Sequence, residues 1–484
     1  MKKYIIGIDE GTTSCRSVLY DVTKNEIVDI SSRAFKSKYP HDGWVEQDAE
    51  KIYKLQLETV KELVDKVKPK NVICMGIANQ RETIVAWNKK TKKPVYNAII
   101  WQCRRTADYI KSLPKKIVEK IKLKTGLIAD AYFSASKIKW LLDNVPAVQK
   151  LMQENNLCIG TMDSFLAYKF TGKFVTDVTN ASRTMLLNID TLDYDDELLE
   201  FFNIPKEILP QIISNSEIVG KVLEYDFPLA SMVGDQQASL FGQGCFNSGR
   251  AKVTYGTGGF LLLNIGNKPS YVDRMLTTIA YKIKNKVCYA LEGSIYSASS
   301  TINFMKDNLG LFFNPADTGP MAESVKSNDG VYFVPAFTGL GAPYWNSNVR
   351  AIITGITFDT KKEHIVRAGI ESMAYNTKAI LEQMAQCGVN VAKIKCDGGC
   401  SKNKFLLQFL ADINNIKVVK NKESEATALG AIFLAGLACK VFNIQKLNKI
   451  ITSSAVYTSK MDDYERNKLY LGWKNAVKMA SYKE

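Results

Sequence analysis

Three turns in this chain set a carboxylate or hydroxyl beside glycine: Asp9-Glu10-Gly11-Thr12-Thr13-Ser14, Val253-Thr254-Tyr255-Gly256-Thr257-Gly258-Gly259-Phe260 and Asp397-Gly398-Gly399. Glycine lets a backbone turn and present its N–H groups, hydroxyls add donors, and a carboxylate holds a hydrated cation beside phosphates. Each turn taken singly also fits a plain strand exit, because Asp and Gly are common turn residues. Three in one chain look like a divided phosphate cradle. No G-x-x-x-x-G-K-[ST] stretch exists, which excludes a P-loop, and neither His41 nor His364 precedes an arginine, which excludes a protein-kinase catalytic loop.

Polar residues at the ends of apolar runs form a second set. Asn79-Gln80-Arg81-Glu82-Thr83 follows the run 71–78, and Trp101-Gln102-Cys103-Arg104-Arg105 follows 98–100. An Arg-Glu neighbour pair offers donors and acceptors suited to vicinal hydroxyls, and an indole face packs on C–H groups; the same pair also fits a surface ion pair of little worth. Asp235, in Gly234-Asp235-Gln236-Gln237, follows the apolar segment 228–233 and is a candidate general base for a hydroxyl proton. It equally suits the N-cap of a helix beginning near Gln236.

These residues need strands and helices to hold them. Residues 4–8 and 15–21 read as a β-hairpin with the first turn at its tip, and 392–396 leads through Asp397 into a helical pattern at 403–413. Between them lie strand patterns at 71–78 and 84–87, helical patterns at 48–66 and 134–143, and a strand-turn at 251–263. The alternation predicts mixed α/β, and two acid-glycine turns near opposite ends predict two related halves. The Gly/Asn/Ser cluster 242–249 marks the boundary, giving units 1–248, 249–445 and a run of terminal helices at 446–484 packed on the second.

Apolar residues at 46% and charged ones at 23% match a soluble globular chain and exclude disorder. The formal net charge of +15 comes from 53 Lys and only 11 Arg, a scattered lysine surface rather than the arginine forks of a nucleic-acid reader, so no nucleic acid is expected. Ten cysteines without a C-x-x-C pair, and two histidines, leave little material for zinc sites or histidine-assisted nucleophiles. The longest apolar segment, 428–439, is too short to cross a bilayer and fits a buried helix, and no secretory signal is read at the N-terminus, so the expectation is a cytoplasmic protein without membrane insertion.

In combination these stretches, with Tyr132-Phe133-Ser134, Thr179-Asn180-Ala181-Ser182-Arg183-Thr184-Met185, Gly234 to Gln243 and Pro335 to Trp345, resemble the FGGY carbohydrate-kinase family from about residue 4 to about residue 480. The resemblance implies two RNase-H-like (actin-like ATPase) domains flanking a central cleft, and transfer of the ATP γ-phosphate to a polyol, here glycerol. It further implies that Arg81, Glu82, Tyr132, Asp235 and Gln236 hold the polyol hydroxyls, with Trp101 and Phe260 along its carbon edge and Asp235 as base. Thr12, Thr13, Ser14 and Arg16 would meet phosphates, Thr257, Gly399 and Asn403 would line the nucleotide pocket, and Asp9 would hold Mg2+ through water. A homodimer or homotetramer is implied as well. Three positions depart from the family pattern: Glu10 stands for the usual Gln, which predicts an added negative charge beside the phosphates, and Ser299 and Asn303 stand where Gly and Gln are common.

Overall fold

The computed structural model describes residues 3–482. Its two largest sheets repeat one plan. In the first, β1 (Tyr4–Glu10), β2 (Ser14–Asp21) and β3 (Glu26–Ala34) run as an antiparallel meander, as the alternation at 4–21 predicts. β4 (Val72–Asn79) lies parallel to β1 on its other side, and β5 (Ser216–Lys221) and β6 (Pro228–Gly234) complete the order β5-β6-β4-β1-β2-β3, with β6 parallel to β4 and β5 antiparallel at the edge.

The second sheet is built from β7 (Arg250–Tyr255), β8 (Gly259–Gly266), β9 (Leu276–Ile283), β10 (Lys286–Ile295), β11 (Lys393–Asp397), β12 (Lys417–Asn421) and β13 (Ser453–Tyr457), in the order β9-β10-β8-β7-β11-β12-β13. From β10 to β13 the neighbouring strands repeat the directions found from β3 to β5 of the first sheet: three antiparallel strands, two parallel additions, one antiparallel edge. The two halves are therefore related in topology as well as in their turns.

Helices cover the sheets. α1 (Ala49–Val67) starts at Asp48, whose carboxylate accepts the Lys51 N–H at 3.0 Å, and buries Ile52, Val60, Leu63 and Val64 against the first sheet. Among the further helices are, in chain order, α2 (Ser134–Asn144), α3 (Asp235–Gly242), α4 (Ser299–Asp307), α5 (Lys362–Met384), α6 (Lys404–Asn414), α7 (Ala426–Ala438), α8 (Ile444–Ile450) and α9 (Asp463–Ser481). The stretch beyond 445, expected as helices alone, also supplies β13 as the edge strand of the second sheet; its residues are half-exposed and alternate weakly, so no apolar run announces it. α9 lies against α5, where Trp473 stacks on Tyr375 with ring centroids 5.3 Å apart.

α7 is the exception to a simple division. It is apolar on all sides and lies between α3 and the face of the first sheet opposite α1, touching β1, β4 and β6. Strand alternation sends Ile6 and Ile8 to the α1 side and Ile5 and Gly7 to the α7 side. A Cβ on Gly7 would stand 2.7 Å from the Ala428 carbonyl, and one on Gly430 would stand 2.0 Å from the Ala238 carbonyl of α3. Glycine at these two points lets α7 seat its backbone directly on the strand and on its partner helix. Leu429, Ile432, Phe433 and Leu434 are buried there, each worth about 1.5–3 kcal/mol of gross burial. The halves thus share a core.

Candidate active site

Register brings the sequence motifs to common edges. Glu10 at the end of β1 lies opposite Asn79 of β4, and Asn79 lies opposite Gly234 of β6, so the turn after Glu10, the segment 80–83 and Asp235 all leave one edge of the first sheet. In the second sheet Thr254 of β7 lies opposite Asp397 of β11, which sets the turns 256–258 and 398–399 side by side. The edges meet: Ser239 of α3 donates to Asp397 Oδ2 at 2.8 Å, and Arg16 reaches Glu425, just before α7, at 2.5 Å.

A buried polar lattice locks the first edge. Asp177 accepts the backbone N–H groups of Thr179 (2.7 Å) and Asn180 (3.2 Å) and the Asn215 amide (2.8 Å). Thr179 in turn accepts the Gly234 N–H at 2.9 Å, and Asn180 exchanges amide hydrogen bonds with Asn79 at 2.8 and 3.1 Å. The residues just before Arg81 and just before Asp235 are therefore tied to one another. Glu82 sits at φ +60°, a costly backbone for a residue with a Cβ, and its carbonyl is held by Lys137 Nζ (3.1 Å) and Ser134 Oγ (3.3 Å) from α2.

Arg81 is the hub. Its Nε lies 3.3 Å from Asp235 Oδ1, its Nη2 is 3.5 Å from the Tyr132 hydroxyl, and its guanidinium stands 6.0 Å from the Phe260 ring centroid. Trp101 meets Tyr132 edge to face with centroids 5.8 Å apart and donates its indole N–H to Thr12 Oγ1 at 2.9 Å. Gln236 donates to both oxygens of Asp235, through its N–H (2.8 Å) and its side-chain amide (3.0 Å). All seven residues read from the sequence as polyol contacts, Arg81, Glu82, Trp101, Tyr132, Asp235, Gln236 and Phe260, gather in this corner. Asp235 is the first residue of α3 and Gly234 is its cap, so the carboxylate accepts from its neighbour Gln236 instead of capping the helix.

The residues read as nucleotide contacts divide. Thr12, Thr13 and Ser14 form the hairpin tip, Gly399 is exposed with nothing within 4 Å of where a Cβ would stand, and Thr257 is exposed with its carbonyl accepting the N–H of Ala298 at 3.0 Å. Arg16 is engaged by Glu425. Asn403 caps α6, accepting the Leu406 N–H at 3.1 Å and donating to Thr318 at 3.2 Å, so both ends of its amide are in use within the protein. Ser299 opens α4 with its N–H on the Gly256 carbonyl at 2.9 Å, while Asn303 is exposed.

The family models decide what this arrangement belongs to. The model for the N-terminal domain of the FGGY family of carbohydrate kinases matches residues 4–242, and that for its C-terminal domain matches residues 251–439. The chain belongs to the FGGY family of carbohydrate kinases. It is 44% identical to a glycerol kinase of Thermococcus onnurineus over 487 positions, covering 99% of this chain and 98% of the relative. It is 46% identical to a glycerol kinase of Desulforamulus reducens, covering 98% and 97%. Among solved structures, Plasmodium falciparum glycerol kinase with ADP superposes with a TM-score of 0.94 at 37% identity, covering 99% of both chains. The fold is accordingly the two-domain actin-like ATPase fold of FGGY kinases.

Two residues of this FGGY site escape a reading from sequence. Glu292, fully buried on β10, chelates Arg81 (2.6 and 3.1 Å) and also accepts Arg183 Nη2 at 3.0 Å, while Arg183 Nε binds Glu82 at 2.6 Å. Burial opposes ionisation of both acids. Arg183 and Arg81 overcome it at Glu292, which falls to about 2, but not at Glu82, which stays above the usual range. The available signals were a lone acid inside the β-rich run 287–295 and an arginine in a chain with few of them; neither names its partner.

Glu10 bears on one expectation. It is fully buried, and Gln80 donates to it through its side-chain amide at 2.7 Å and its N–H at 3.3 Å; burial pushes its carboxyl up to about 8, and Asp9 and Asp235 add to the rise. Burial thus opposes the added charge expected beside the phosphates, while the two hydrogen bonds donated by Gln80 favour it. Because the folded value of Glu10 lies above the usual 4.5, the stabilisation it confers is complete below about pH 4.5 and is lost as pH rises through about 8. Glu10→Gln is therefore expected to melt progressively higher than the parent as pH rises from 5 to 9, by roughly 10 °C at the alkaline end. Thermal melting of both proteins across that range tests it, and a constant difference would contradict the assignment.

Proposed function

We propose that this chain is an ATP:glycerol 3-phosphotransferase, giving sn-glycerol 3-phosphate and ADP by direct in-line transfer. The observation that carries the reading is the polyol corner itself: Arg81, Glu82, Tyr132, Asp235 and Gln236 converge beside an indole that is hydrogen-bonded to the phosphate hairpin through Thr12. Arg81 and Gln236 supply donors to hydroxyl oxygens, Glu82 and Asp235 accept from hydroxyl protons, and Trp101 and Phe260 line the carbon edge. Such a corner suits three adjacent hydroxyls on a short chain.

Asp235 accepts the proton of the terminal hydroxyl as its oxygen attacks the γ-phosphorus, and the bond to the β,γ-bridging oxygen breaks toward ADP. Thr12, Thr13, Ser14 and Arg16 hold the phosphates from the N-terminal unit, 1–248, while Thr257, Gly399 and Asn403 line the nucleotide from the second unit, 249–445. Phosphoryl transfer needs alignment and charge neutralisation more than covalent help, so this side-chain set suffices without His or Cys. Approach of the two sheet edges expels water, which otherwise competes with glycerol as acceptor.

Among the described residues no group of three or more acids, cysteines or histidines is placed to hold a metal ion unaided. Asp9 and Asp397 nonetheless fit a hydrated Mg2+ brought in by the nucleotide. Asp397 Oδ1 is buried without a hydrogen-bond partner, and Asp9 is crowded by Asp235, Glu425 and Asp397, so that burial and these charges push it up to about 7 against the pull of Arg16. When bound, the cation neutralises phosphate charge. No helix among the described residues is long and apolar enough to cross a membrane.

A coupled assay of ADP release with glycerol, with a pentulose and with no acceptor tests the reading. ADP should form with glycerol alone. Equal release without acceptor, or faster release with the pentulose, would overturn it.

A further inference from the structure

Strand alternation along β7 sends Ala251, Val253 and Tyr255 into the core of the second half and turns Lys252 and Thr254 toward α3 of the first. Lys252 is fully buried there. Its Nζ donates to Gln236 Oε1 at 2.5 Å and to Thr254 Oγ1 at 2.9 Å, and no carboxylate lies within ion-pairing distance among the described contacts. A buried ammonium without a directly paired acid is costly; burial pushes it down to about 8, with Asp397, Asp235 and Glu292 opposing the shift from further off. A methionine of similar length would fill the space without that cost.

We propose that Lys252 is a positioning residue for phosphoryl transfer, acting through Gln236 on the carboxylate of Asp235. A side-chain amide presents an acceptor at one end and donors at the other, and its two orientations are close in shape. The ammonium holds the oxygen of Gln236, which obliges the NH2 end to face Asp235 Oδ2, 3.0 Å away. Arg81 holds the other oxygen, Oδ1, from the opposite side at 3.3 Å. The base is thus gripped between a guanidinium and an amide whose direction is set by a charge on the other half of the molecule. If the amide turned over, two oxygens would face one another and the carboxylate would swing from the acceptor hydroxyl. Because Lys252 stands on the second sheet and Gln236 on α3, the grip forms only when the two halves are correctly seated, which links alignment of the base to alignment of the nucleotide side.

This inference rests on Asp235 as base, and the tests separate the two. Lys252→Met, Gln236→Ala and the double variant are compared with the parent for kcat at saturating glycerol, for both KM values and for melting temperature. Misplacement of a catalytic group by about 1 Å costs on the order of 100-fold. Lys252→Met should lower kcat by roughly 10- to 100-fold, change KM for ATP less than about threefold, and melt no lower than the parent. The double variant should be no more than about threefold slower than the slower single variant, because both remove one device. Losses that multiply in the double variant would overturn the proposal, as would a Lys252→Met effect confined to KM for ATP or to melting temperature. Gln236→Ala decides the matter even if Lys252→Met fails to fold: unchanged kcat there removes the proposed intermediary. None of these failures touches the base assignment, which falls only if Asp235→Asn keeps its turnover.

Discussion

Asp235→Asn is expected to lower kcat by about 10²–10⁴ while leaving KM for glycerol within about tenfold, since this is the range that general-base catalysis contributes. The split follows from the geometry. Asn keeps the outline of Asp, and the Gln236 N–H that donates to Oδ1 at 2.8 Å still finds an oxygen. Arg81 keeps its place because Glu292 chelates it independently at 2.6 and 3.1 Å, so the polyol corner survives the loss of one carboxylate. What disappears is the proton acceptor. Steady-state rates with varied glycerol at fixed saturating ATP measure both constants, and near-normal turnover would exclude Asp235 as the base.

The second large effect concerns the ion cluster beneath that corner. Glu292→Gln leaves Arg183 to Glu82 and Arg81 to the longer contacts of Asp235 and Glu82, with a neutral amide between two almost wholly buried arginines. Removing one partner of a buried ion pair typically costs about 3–5 kcal/mol, because the remaining charge is left desolvated. At about 2–4 °C per kcal/mol for a large domain, melting should fall by roughly 10 °C at pH 7. KM for glycerol should rise as well, since Arg81 keeps an acceptor for only one of its two shortest contacts and loses the charge that holds it. The sign with pH is opposite to that of Glu10. The arginines hold Glu292 down to about 2, so its contribution is present above the ordinary 4.5 and is lost only as pH falls toward 2. Calorimetric melting of the variant within about 2 °C of the parent would show that the cluster does not bear on stability.

Short-range chemistry was readable in the chain, and long-range pairing was not. The hairpin carrying Asp9, the strand before Asn79 and the strand before Asp235 announce themselves because an apolar run ending in a polar turn is a local pattern. α7 was readable as a buried helix from its composition, yet nothing within it says that it covers the sheet of the other half. The partners of Glu292 lie 211 and 109 residues away, and Lys252 meets a residue presented by a different element, so their meaning exists only after folding. β13 fails for a simpler reason: an edge strand with exposed Ser453, Ser454 and Val456 lacks the apolar face by which strands are recognised. At Glu10 the sequence names the residue but not its burial, which opposes its ionisation and is a property of the whole.

The seating of α7 against β1, β4 and β6 also sets a timetable for synthesis. When Gly242 leaves the ribosome, every strand of the first sheet has been made, but the helix that closes one of its faces is not finished until Ala438. At about 5–20 residues per second the nascent chain carries that uncovered surface for on the order of tens of seconds. Chaperone engagement should concentrate in that interval, and release should follow emergence of α7 rather than completion of the N-terminal sequence.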